Sequence, residues 1–186
     1  MYKRVNGEMI DLGQKQTFNV VSNRPDPAIE GSSQQQRVIF EAQVHELLRA
    51  AAGSSEAVDA VLGELDAVKA TLHRSMTDGS LYELAHSIQQ SLKASNEKLT
   101  DNELRDAYND LAIMSVQARL WHARFDPSSS AHGPTAAQKE SLRIARKLYD
   151  ETVAELTQLV DGDYAALKEA MDIAKVPWTP GRGIQE

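Results

Sequence analysis

From Phe40 to Leu72 an apolar residue recurs at almost every third or fourth position. The series is Phe40, Val44, Leu47, Ala51, Val58, Val61 or Leu62, Leu65, Val68 and Leu72. Steps of three and four in alternation are the period of an α-helix packed along one stripe. Only Ser54 interrupts it. Gly53-Ser54-Ser55 resembles a helix break, yet the stripe keeps its phase beyond it, and a loop would reset that phase. The pattern predicts one long helix over 34–74, kinked at most near Gly53. At 1.5 Å per residue it would span about 60 Å, and only other helices of comparable reach would cover it.

Composition agrees. The 186 residues are 41% hydrophobic and 25% charged but only 5% aromatic, which favours helix–helix packing over a β-sandwich. The net charge of −7 argues against a nucleic-acid or anionic-membrane surface, which needs clustered Lys and Arg. With no Cys, disulfides, thiolate zinc sites and cysteine nucleophiles are excluded together. No apolar run approaches the ~20 residues of a membrane span. The N-terminal MYKRVNGEMIDLG has no apolar h-region, so no signal peptide is expected within these residues.

Further helices follow the first. Thr77-Asp78-Gly79 reads as a turn, and Ser80 with Glu83 as a capping box opening a helix with Leu81, Leu84, Ile88, Leu92 and Leu99 inward. A Thr100–Glu103 box opens a third, with Leu104, Ala107, Leu111, Met114, Ala118, Trp121 and Phe125 on one face. After the polar loop Asp126–Gly133, Pro134 and a Thr135–Gln138 box start a fourth, with Leu142, Ala145, Tyr149, Val153, Leu156 and Val160 inward. Asp161-Gly162-Asp163 reads as a break, with Gly162 ending one helix and Asp163 capping a short fifth. That fifth helix places Leu167, Met171 and Ala174 inward and stops at Pro177. The expected fold is mainly α: an antiparallel four-helix bundle, with a long first helix and a short fifth, over 31–186.

Residues 1–30 differ in kind. Tyr2–Val5 and Glu8–Leu12 flank Asn6-Gly7, a type I′ hairpin signal. Thr17–Val21 is a third β-like run, and Arg24-Pro25-Asp26-Pro27 forces an extended linker. One reading is a small sheet packed on the helices. The other, the expectation here, is a lead-in belonging to the end of an upstream β-rich domain, because three short strands leave their edges unpaired.

Chemistry-bearing groups are sparse. Glu83-Leu84-Ala85-His86 has the Glu-x-x-His spacing of one half of a di-iron carboxylate site, but the second half is missing. His45, His73, His86, His122 and His132 lack zincin spacing. Ser128-Ser129-Ser130 has no neighbouring base. The pairs Asp101/Glu103 and Asp161/Asp163 suit helix starts better than glycosidase chemistry. No catalytic, cofactor or metal residue is therefore assigned. Lys139, Arg143, Arg146 and Lys147 form a basic patch, read as a solvated face or a surface for an acidic partner. Trp178, between Pro177 and Pro180, is expected to plug the open end of the bundle or to offer a contact to a partner or sugar. Gly181 would turn the chain so that Arg182 reaches a helix C-terminus or a carboxylate. The candidate interaction residues are Trp178, Arg182, Arg143 and Lys147.

The run Gly133-Pro134-Thr135-Ala136-Ala137-Gln138, the helix with Leu156 and Leu159, the Asp161-Gly162-Asp163 step and the ending Pro177-Trp178-Thr179-Pro180-Gly181-Arg182 resemble the C-terminal end of bacterial sortilin-like β-propeller proteins. These carry BNR/Asp-box repeats and are often labelled glycosyl hydrolases. Thr17–Val21, Phe40–Val44 and Leu47–Ala50 resemble that family's passage from β structure into its helical tail, so the likeness covers nearly the whole chain. It implies an upstream propeller as partner, within an exported, periplasmic or extracellular parent. No Ser-x-Asp-x-Gly-x-x-Trp motif occurs here, so the hydrolase label does not transfer. The expectation is a non-enzymatic module without cofactor, for bracing or for docking to a protein or to another copy of itself. The alternative is a carbohydrate-contacting accessory domain.

Overall fold

The computed structural model describes residues 2–11, 13, 17, 19, 34–75, 77–100, 114–124 and 133–183. Strands β1 (Tyr2–Val5) and β2 (Glu8–Asp11) pair antiparallel, with Val5 opposite Glu8 and Tyr2 opposite Asp11. Asn6 and Gly7 both have positive φ, 49° and 93°, which is the type I′ geometry that matches strand twist. Helix α1 (Gln34–Arg74) is continuous through Gly53, as its unbroken stripe requires. Helices α2 (Gly79–Leu99), α3 (Val116–Ala123) and α4 (Ala136–Thr157) follow. A π-helical segment (Gln158–Tyr164) then leads directly into α5 (Ala165–Ile173). The chain is thus mainly helical, with four helical rods and a short N-terminal hairpin among the described residues.

Contacts between rods set their directions. Asp66 meets Gln89 and Asp59 meets Asn96, so α2 runs against α1. Ser54 meets Tyr149 and Glu64 meets Tyr164, so α1 and the α4–α5 rod rise together. Helix α3 runs against α4, because Ser141 bonds to Arg119 O and Gln138 to Arg124 O. The core seam follows the heptad stripe: Phe40, Val44, Leu47, Ala51, Val58, Leu65, Val68 and Leu72 are all buried against one another and the other helices.

Four local expectations change. Helix α2 is capped by Asp78, whose side chain accepts from Ser80 N, rather than by Ser80 with Glu83. Its buried face passes through Ala85, Ile88, Gln89 and Leu92, and Leu84 is exposed. Helix α3 starts from Ser115, which accepts from Ala118 N. That start turns Val116, Leu120 and Ala123 inward and leaves Met114 and Trp121 exposed. Thr100 itself ends α2, its hydroxyl donating to Asn96 O at 3.4 Å, while Glu103, the hydrophobic face over 104–111 and Phe125 fall outside the described residues, as does most of the 17–21 run. In α4 the Thr135–Gln138 capping box forms as expected, but Thr152 rather than Val153 is buried.

The fourth change is the largest. Asp161-Gly162-Asp163 does not break the helix; it lies inside the π segment, and Gly162 lacks a positive φ. Buried Leu156 and Tyr164 are eight residues apart, followed by Leu167 and Met171. Eight α-helical residues leave an offset of about 80°, at the margin of the seam, and the wider π turn draws Tyr164 back toward its centre. Ala174 is consequently exposed, and Val176 takes the last buried place.

Candidate functional site

Two places gather polar side chains. One joins the C-terminal strap, 176–183, to α1 and α5. Helix α5 ends in a Schellman motif: Lys175 N–H donates to Asp172 O and Val176 N–H to Met171 O, at 3.1 and 3.0 Å. Its hydrophobic contact pairs Val176 with Met171, both fully buried. Pro177 leads away from the helix. The strap then alternates, with Val176, Thr179 and Arg182 buried and Pro177, Trp178 and Pro180 exposed. A turn with Pro180 and Gly181 at its centre (Gly181 φ 80°) folds Arg182 back, and its N–H donates to Thr179 O.

Arg182 is the anchor. Its Nε donates to Asp172 Oδ1 at 2.9 Å, its Nη2 contacts the same oxygen, and its Nη1 donates to the carbonyls of Val176 and Pro177 at 3.2 and 3.0 Å. The side chain is 1% exposed, whereas Asp172 is half-exposed. Beside it, Tyr164 OH donates to Glu64 Oε2 at 2.8 Å. Burial, then the hydrogen bond to Glu64 and that carboxylate's charge, push the Tyr164 phenol well above its ordinary range, with Arg182 opposing. Lys168 Nζ lies 4.5 Å from the Tyr164 ring centre. A Cβ on Gly181 would overlap the Glu64 carboxylate, so glycine is needed there for space as well as for φ.

The second place spans α1 and α2. Buried Gln89 accepts from Lys69 Nζ at 2.9 Å and donates to Asp66 Oδ1 at 2.6 Å. Lys69 also lies 3.4 Å from His86 Nδ1. His86 is therefore a neighbour of a lysine, opposed to the metal-ligand role its spacing suggested. Among the described residues, no group of three or more His, Asp or Glu is arranged to hold a metal ion. A groove of about 500 Å³ runs beside Leu48, Ala51, Ser55, Leu99 and Gln117, with Arg49, Glu56 and Asp59 at its rim.

The four candidate interaction residues do not converge. Arg143 and Lys147 lie on α4 below Tyr149, which is level with Ser54. The strap sits at Glu64, about 15 Å farther along α1. Arg143 is held in a two-pronged bond to Glu140 (2.8 and 2.6 Å), which keeps the Glu140 carboxyl below its usual range. Lys147 stands 3.7 Å from Glu151. Arg182 reaches a carboxylate, one of its two expected targets, together with the strap carbonyls of Val176 and Pro177 rather than those of the helix end, and being buried it anchors the strap and presents no surface. Trp178 is 57% exposed, so it does not plug the bundle; Val176 fills that place. Its indole Nε1 donates to Arg182 O at 3.0 Å, which fixes the ring with a face to solvent. Trp121, 65% exposed, carries the Arg124 guanidinium 5.0 Å from its ring centre. Sequence reasoning missed the Glu64–Tyr164 bond. The only signal for it was the eight-residue step from Leu156 to Tyr164, which the Asp-Gly-Asp triplet masked.

Comparison with protein-family models, with curated proteins and with solved structures returns no match.

Proposed function

We propose that this chain is a non-catalytic helical module, the C-terminal part of a larger sortilin-like BNR/Asp-box propeller protein, which braces the propeller or docks a protein partner. The observation that carries this reading is the hairpin. All eight strand residues are exposed, including Tyr2, Val5, Met9 and Ile10. Among the described residues no third strand pairs with β1 or β2, and a two-stranded sheet with exposed faces is marginal by itself in water, so a neighbouring β structure would complete it. The reading is also supported by how the polar groups are used. Glu64, Tyr164, Arg182 and Asp172 tie the strap to the rods, and Asp66, Lys69 and Gln89 tie α1 to α2, which are bonds that stiffen a support. Such a parent would be exported. The test is whether the hairpin's outward amides become protected from hydrogen exchange in the native polypeptide compared with these 186 residues alone.

A second reading, a carbohydrate-contacting accessory domain, draws on the exposed, oriented rings of Trp121 and Trp178. Quenching or shift of tryptophan fluorescence by an oligosaccharide would favour it over the first.

A further inference from the structure

Helix α4 and the π segment carry their charges in two blocks. On the outward stripe Lys139, Arg143, Arg146 and Lys147 occupy the first half, with Glu140 among them. Asp150, Glu151, Glu155, Asp161 and Asp163 occupy the second, and every one of these residues is exposed. This order opposes the helix dipole, which favours acids near the N-terminus and bases near the C-terminus. Helix α4 has no acidic residue in its first turn and no basic residue in its last. Local pairing covers part of the stripe: Glu140 with Arg143, Lys147 with Glu151, and Glu155 with Lys98. Lys139, Arg146, Asp150, Asp161 and Asp163 make no ion pair with a described residue.

A stripe that is basic at one end and acidic at the other is complementary to itself after a half-turn. We propose that this face docks a second copy of the same chain, with the two α4–π rods antiparallel across a two-fold axis. Each basic block then lies on the partner's acidic block, an isologous contact. An acidic polypeptide would satisfy only the first block and a basic one only the second. A second copy satisfies both, and this decides the occupant. The stripe from Lys139 to Asp163 runs about 36 Å. Apart from Ala154 and side-chain stems it is polar, so the contact belongs with small, reversible interfaces whose strength depends on salt. This inference does not depend on a propeller.

Sedimentation of the 186-residue chain tests it. The expected result is a monomer–dimer equilibrium at roughly 20 mM salt that weakens at least about tenfold at roughly 500 mM. Lys139→Glu with Arg146→Glu, and separately Asp150→Lys with Asp161→Lys, should each give a monomer at low salt. An equimolar mixture of the two variants should form a one-to-one complex. The first variant places acids nearer the helix N-terminus, so its melting temperature should hold or rise, which separates lost association from lost folding. A wild-type monomer at low salt, a dimer indifferent to salt, or a mixture that stays monomeric would overturn the proposal.

Discussion

Lys175 occupies the left-handed region, φ 52°, at the residue after the α5 cap. Glycine is usual there because a Cβ is strained at positive φ. Nothing in the Schellman motif requires the lysine side chain. Lys175→Gly should therefore stabilise the fold by about 0.5–1 kcal/mol, raising the melting temperature by about 1–4 °C, as circular dichroism on heating would register. A fall would show that Lys175 holds the strap through its side chain. Tyr164 makes a different prediction. Its phenol is raised above its ordinary value of 10.0 when folded, so the folded state keeps a proton that the unfolded state releases. The associated stability is whole below pH 10 and is lost as pH rises above it, by up to about 1.4 kcal/mol per pH unit for this group. Tyr164→Phe should cost about 1 kcal/mol near pH 7 but show a shallower alkaline loss. Urea midpoints at neutral and alkaline pH measure both, and equal alkaline slopes would contradict the account.

At the scale of elements, what was legible depended on how long a pattern persisted. Helix α1 could be read to its ends because nine stripe positions share one phase and no loop can imitate that. Starts of helices were less legible, since Ser80 and Asp78 are both good caps two residues apart and only packing chooses between them. Packing likewise put Ala85 and Gln89 on the seam in place of Leu84. The Asp161-Gly162-Asp163 triplet has the chemistry of a break, and burial of Tyr164 against α1 overrode it. Gly162→Ala tests this. At a helical glycine the substitution should be neutral or stabilising by up to about 1 kcal/mol, since the new Cβ meets only the Gln158 amide end at 2.5 Å, a side chain free to move. If Gly162 closed a helix in the left-handed region, the same change would destabilise by about 1 kcal/mol or more. Chemical denaturation distinguishes the two.

At the scale of the whole molecule, three features face solvent: the exposed hairpin, a charge-divided rod and a strap that orients Trp178. The bundle holds the rod and the strap, and the strap's orientation rests on Arg182 and Gly181, whose roles the sequence indicated by residue type. The candidate interaction set was less legible, because neighbouring positions in sequence say nothing of burial. Arg182 and Trp178 stand four apart on one strap, yet one faces inward and the other faces solvent. The central claim is that the hairpin joins a larger β structure. In a hairpin closed by Asn6-Gly7, Val5 and Glu8 bond to each other, so the N–H groups of Arg4 and Met9 point away from the partner strand. The hairpin cannot protect these amides itself. The direct measurement is hydrogen exchange at Arg4 and Met9 in the 186-residue chain and in the native polypeptide from its source. The account predicts fast exchange in the chain alone and exchange slowed by at least about tenfold at one or both positions in the native polypeptide. Fast exchange at both positions in both samples would contradict it.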